Sequence, residues 1–130
     1  MQHKTCAVLS LLTGRLVPHG TNDTESEGLS YLYRLMSYIA GAPVASHMLM
    51  PEFRMELSAK CAPVVSADIV AFAQQVKMAE KSEFLDAALR FCEATPECEV
   101  GEVPAMSEAD FDDAFWRPLA DKTLVFLEKA

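Results

Sequence analysis

The chain has 130 residues, 51% of them hydrophobic and 23% charged, with a formal net charge of −8. That length suits a single domain with one core, and that apolar fraction excludes a disordered chain. The acidic balance disfavours direct binding of DNA or RNA, whose phosphates it repels.

In chain order, His3 to Leu12 reads as a short helix or a buried strand, and Gly14 ends it. Arg15-Leu16-Val17 then runs extended into Pro18, because the residue before a proline avoids the helical region. Residues 18–28 are polar and rich in turn formers, which predicts a surface loop. From Leu29 to Ala40 the apolar residues Leu29, Leu32, Met36 and Ile39 recur at helical spacing, with Leu35 on the same side. Gly41 stops this helix, since glycine tolerates the left-handed conformation of a helix end. The pair formed by this helix and the next apolar segment is expected to organise the fold.

Pro51 suits the first residue of a helix that runs to Cys61, with Phe53, Leu57 and Cys61 on one stripe. Ser66 is placed to cap a helix from Ala67 to about Glu80, carrying Ile69, Phe72, Ala73 and Val76. Ser82 is placed to cap the next, with Leu85, Ala88, Leu89 and Cys92 on its stripe. Residues 93–106 hold Pro96, Gly101 and Pro104 and read as an irregular acidic loop. Ser107 opens another helix, with Asp110 at the reach-back position of a capping box. Thr123 to Leu127 fits a last helical turn or a strand. The fold class expected is mainly α: one compact bundle of about five to seven helices, with room for a short strand pair near Arg15–Val17.

Residues 35–51 are uncharged but are interrupted by Gly41, Pro43, Ser46 and His47, and they fall short of the ~20 apolar residues of a spanning helix. The start of the chain has no small-residue cleavage site of the kind a secretory signal carries. Cys6, Cys61, Cys92 and Cys98 therefore read as reduced thiols of a cytoplasmic protein. No membrane contact is expected.

Motifs that would mark an enzyme are missing: there is no phosphate-cradling glycine loop, no His-Glu-x-x-His, no Gly-x-Ser-x-Gly and no Cys-x-x-Cys. Cys92 and Cys98 are too far apart for the usual zinc spacing, and no histidine follows them. The acids of residues 108–113 lack the arrangement of a calcium loop. His47 with Cys61 can be drawn as a base and a nucleophile, but no neighbour is visible that would orient the histidine. No catalytic residue, metal or cofactor is expected.

Two surfaces stand out. Tyr31, Arg34 and Tyr38 fall together on the helix face opposite the apolar stripe, and tyrosine and arginine are enriched at binding hot spots. Coverage of that face by the C-terminal segment is the structural alternative. The second surface is acidic. Between Phe91 and Trp116 lie Glu93, Glu97, Glu99, Glu102, Glu108, Asp110, Asp112 and Asp113, with no lysine or arginine among them. The other eleven acids match the eleven bases, so this one segment holds the whole net charge. It is either a solubilising face or a docking site for lysine and arginine side chains, in which charge steers while Phe111, Phe115 and Trp116 anchor. Met48, Met50 and Met55 would add an adaptable patch or fill the core.

Thr13-Gly14-Arg15-Leu16-Val17, then Tyr33, Leu35-Met36, Tyr38-Ile39, Gly41 and Ser46-His47-Met48-Leu49, resemble a domain of unknown function common in phage and prophage proteins. The match covers roughly residues 6–57. The chain departs from the pattern at Ser46 and Met48, and the family brings no established catalytic residues. The resemblance implies a phage or mobile-element setting, where small acidic proteins without enzyme motifs look like inhibitors of host defence, anti-CRISPR proteins among them. The function expected is thus a non-enzymatic inhibitor in the host cytoplasm. It would bind a basic, nucleic-acid-binding surface of a host complex, a CRISPR effector subunit above all. The contact residues expected are Glu97, Glu99, Glu102, Glu108, Asp110, Asp112, Asp113 and Trp116, with Tyr31, Arg34 and Tyr38 as a second anchor. A phage regulator or assembly factor, and a small enzyme with a Cys/His site, are the alternatives.

Overall fold

The computed structural model describes residues 1–20, 25–44 and 51–117. His47, Met48, Met50 and the segment Thr123 to Leu127 lie outside the described residues. The elements run β1 (Gln2–Lys4), α1 (Thr5–Thr13), α2 (Glu25–Ala40), α3 (Pro51–Cys61), a 3-10 turn (Ala62–Val64), α4 (Ala67–Val76), α5 (Lys81–Ala94), β2 (Glu97–Glu99) and α6 (Glu108–Phe111). A wider π-helical turn over Asp112–Trp116 continues α6. The fold is mainly α, as the apolar periodicities imply, with one small antiparallel strand pair among the described residues.

The central element is α1 rather than α2. Eight of its nine residues are buried, and it touches α2, α3, α4 and α5. A helix apolar all round belongs inside a core. Two of its polar residues, Ser10 and Thr13, are satisfied locally. The Ser10 hydroxyl donates to the Cys6 carbonyl (2.7 Å) and accepts from the Val17 amide (2.8 Å). The Thr13 hydroxyl donates to the Leu9 carbonyl (2.7 Å) and accepts from the Arg15 amide (3.2 Å). Such bonds to the preceding turn let short hydroxyl side chains sit in a buried helix.

Gly14 ends α1 in the left-handed conformation (φ 73°), its amide donating to the Ser10 carbonyl. Beyond it, an Arg15 Nη donates to the carbonyls of Ala79 (2.6 Å) and Lys77 (3.3 Å), and the guanidinium lies 4.1 Å from the centre of the Phe84 ring. The Thr-Gly-Arg run therefore closes α1 and pins the α4–α5 turn. With that turn held, α5 starts at Lys81 with Glu80 as its cap position, ahead of the Ser82 start that the sequence suggests.

Around α1 the expected stripes face inward: Leu32, Leu35, Met36 and Ile39 from α2, Phe53, Leu57 and Cys61 from α3, Ile69, Ala73 and Val76 from α4. On α5 the buried residues are Phe84 and Ala88. Ser66 caps α4 by accepting from the Asp68 amide, and Ser107 caps α6 by accepting from the Asp110 amide, both as expected.

The strand pair lies elsewhere than near Arg15–Val17. β1 begins the chain and pairs with β2 in the register Gln2↔Glu99, His3↔Cys98, Lys4↔Glu97. The acidic stretch read as an irregular loop thus contributes a strand. From there the chain straps across the fold. Gly101 donates to the Val64 carbonyl (2.8 Å), and Met106 donates to the Ala40 carbonyl at the end of α2 (3.1 Å). Gly41 (φ 72°) makes room for this strap, because a Cβ there would sit 2.5 Å from Ala105 Cβ.

Candidate functional site

The acidic segment divides into two parts with different surroundings. In β2, Glu97 accepts from Lys4 Nζ at 2.8 Å, and Glu99 accepts from the N-terminal ammonium and from Gln2 Nε2. The register produces these pairs, since Lys4 stands opposite Glu97 and Gln2 opposite Glu99. The Lys4 bond holds the Glu97 carboxyl below the usual range, and the ammonium does the same for Glu99. Two of the expected contact residues are therefore paired on the exposed surface of the strand pair.

The second part, residues 107–117, is held by aromatic packing. Phe115 is fully buried, and Phe53 of α3 meets Phe111 and Phe115 with ring centres 5.3 and 5.4 Å apart. Phe111 and Phe115 also pack on each other, ring centres 5.8 Å apart, and the Trp116 ring meets Phe115 edge-on at 4.6 Å. Glu108, Asp110, Asp112 and Asp113 are exposed, and Trp116 is 52% exposed. Among the described residues the ion pair in this part is internal, Asp113 to Arg117 at 2.9 Å. Acids in a first helical turn also complement the helix dipole, which accounts for part of their placement. Arg117 donates its amide to the Asp112 carbonyl, the long bond of a π turn, a feature frequent at functional sites. Glu102, in the strap between the two parts, is exposed as well.

Tyr31, Arg34 and Tyr38 do lie along one face of α2, but they meet β1 and the strap. The Tyr38 hydroxyl donates to the Gly101 carbonyl at 2.9 Å, with the Val100 carbonyl at 3.3 Å, and its ring lies 4.9 Å from His3. The Tyr31 ring lies 4.8 Å from His19, with Lys4 Nζ and Arg34 Cζ each 5.6 Å from its centre. Tyr38 thus acts as a clamp on the strap, and Arg34 remains exposed. His3 is buried between these groups, and its Nε2 has no hydrogen-bond partner among the described residues. Burial, then the N-terminal ammonium and Arg34, hold its imidazole below the ordinary histidine value, while Glu99 opposes them.

None of the four cysteines is joined in a disulfide. Burial pushes Cys61 up to about 12, away from the thiolate that a nucleophile needs; its proposed partner His47 lies outside the described residues. Burial likewise pushes Cys92 up to about 12, and raises Cys98 against the opposing effect of the Thr5 hydroxyl. A different thiol and imidazole meet instead: Cys6 Sγ lies 4.0 Å from His19 Nδ1 beside a cleft of about 200 Å³. Sequence reading missed this pair, because the two residues belong to α1 and to a polar loop, and their spacing matches no motif. Among the described residues, no group of three or more His, Cys, Asp or Glu side chains is placed to hold a metal ion. No helix among them is long and apolar enough to cross a membrane.

No family profile, curated protein or solved structure matches this chain.

Proposed function

We propose that the protein is a non-enzymatic inhibitor of phage or mobile-element origin, of the anti-CRISPR kind. It docks on a basic, nucleic-acid-binding surface of a host defence complex. The observation that carries this reading is the outer face of residues 108–117. There an exposed tryptophan and four exposed carboxylates share a short helical segment locked to the body by Phe111 and Phe115. Unpaired charge speeds encounter with a cationic surface, and a half-exposed indole supplies apolar area that anchors it. Glu108, Asp110, Asp112, Asp113 and Trp116 form the contact, with Glu102 at its edge. Glu97 and Glu99, exposed but already paired with Lys4 and the N-terminal ammonium, brace the strand pair. Arg34 is the part of the α2 face left for a second contact.

The test is immunity itself. The protein is produced in bacteria carrying active CRISPR systems of several types, and phage plating is counted. Restored plating against one type is expected, with loss of the effect in Trp116→Ala while that variant still folds. No restoration against any type removes the inhibitor reading. Restoration that survives Trp116→Ala removes this face from it.

A further inference from the structure

A cleft on the other side of α1 carries a second inference, independent of the docking face. It encloses about 200 Å³ and is bordered by Cys6, His19, Leu89, Cys92, Glu93 and Pro96. A water molecule takes up ~30 Å³ of liquid, so this space admits a molecule of a few heavy atoms. Cys6 lies in the first turn of α1, where amides that no helical carbonyl satisfies favour nearby negative charge. The imidazole of His19 is exposed to solvent, is braced by the Tyr31 ring, and brings Nδ1 to 4.0 Å from the sulfur. A thiol, a base within reach and a third group that orients the base are the parts of an assisted nucleophile.

We propose that Cys6 and His19 form a covalent acceptor site for small, neutral α,β-unsaturated carbonyl compounds. The apolar borders Leu89 and Pro96 suit a carbon electrophile, and the Glu93 carboxylate repels an anionic one. In the tautomer with its proton on Nε2, His19 takes the thiol proton at Nδ1. The sulfur electron pair forms a bond to the β-carbon as the alkene π pair moves to the α-carbon. The imidazolium proton then passes to the α-carbon. The sum is addition of S–H across the double bond, with no oxidant and no leaving group.

The inference runs against simple exposure. Cys6 is 2% exposed and Cys92 is half-buried, so accessibility alone puts Cys92 first. The assisted site puts Cys6 first. The folded full-length chain is treated with limiting acrylamide, and adducts are located by peptide mass mapping. Cys6 is expected to label about tenfold faster than Cys92. His19→Gln, checked for folding by circular dichroism, is expected to remove the preference. Leading or equal labelling at Cys92, or a His19→Gln chain that labels like the parent, overturns the site. Should His19→Gln fail to fold, His19→Asn decides: a folded His19→Asn chain that labels like the parent overturns the proposal.

Discussion

The two parts of the acidic run carry the same kinds of residue and do opposite things. Glu97 and Glu99 lie in a strand whose partner presents Lys4, Gln2 and the chain's own ammonium. Glu108, Asp110, Asp112 and Asp113 lie on a helix whose inner face is aromatic and which, among the described residues, pairs with nothing basic except its own Arg117. A charge count along the sequence treats the eight acids as one patch. Strand register neutralises one part, and helical spacing displays the other around Trp116. Charge segregation in a sequence is therefore only the raw material of a surface.

This contrast can be broken from the core outward. Phe53→Ala removes the ring that receives Phe111 and Phe115, and should cost about 3–5 kcal/mol in chemical denaturation. A much smaller loss would mean that the acidic helix is held by something other than this cluster. Gly41→Ala forces a left-handed alanine, costing about 1–2 kcal/mol before its clash with Ala105 at the strap is counted. Unchanged stability there would mean that the strap does not hold to the end of α2. Tyr38→Phe deletes only the hydroxyl that holds the strap, and about 0.5–1.5 kcal/mol should be lost.

Acidity sharpens the contrast, because His3, Glu97 and Glu99 of the strand pair are all held below their ordinary values. The folded protein keeps the His3 imidazole below its ordinary value of 6.5, so the unfolded chain takes up that proton first as pH falls. The stability from neutral His3 is complete above that ordinary value and declines below it, until the native imidazole protonates in turn. Glu97 and Glu99, held low by their pairs, add a loss of the same sign further down, as pH falls through the carboxylate range. The groups that face His3 are the N-terminal ammonium, Arg34 and Glu99, with the Tyr38 ring against it. Melting curves from about pH 7.5 to 5.5 should fall in the parent and flatten in His3→Phe. Parallel curves would take His3 out of the account. The smallest effect belongs to the displayed helix: Asp112→Lys should leave the melting temperature within about 3 °C of the parent.

Much of this architecture was legible. The periodic stripes of α2, α3 and α4, the serine caps at Ser66 and Ser107, and the glycine stops at Gly14 and Gly41 are local signals, and local chemistry forms them. What was hidden depends on partners far away in the chain. β1 and β2 have three residues each and pair across more than ninety positions, so neither shows a period. α1 is buried on every side, which erases the stripe that would have marked it as a helix. Tyr38 looked like a surface anchor because its hydroxyl partners, the carbonyls of Val100 and Gly101, are backbone groups that no side-chain pattern announces. The cleft beside Cys6 needed the loop at His19 to fold back over α1.

The central claim is that one acidic part builds the fold and the other meets the partner, and paired charge reversals test it most directly. Glu97→Lys/Glu99→Lys and Asp110→Lys/Asp113→Lys are compared for melting temperature and for restoration of phage plating. The account predicts that the first lowers the melting temperature, and that the second keeps it near the parent value while abolishing restoration. A helix reversal that still restores plating, or a strand reversal that melts like the parent, would contradict it.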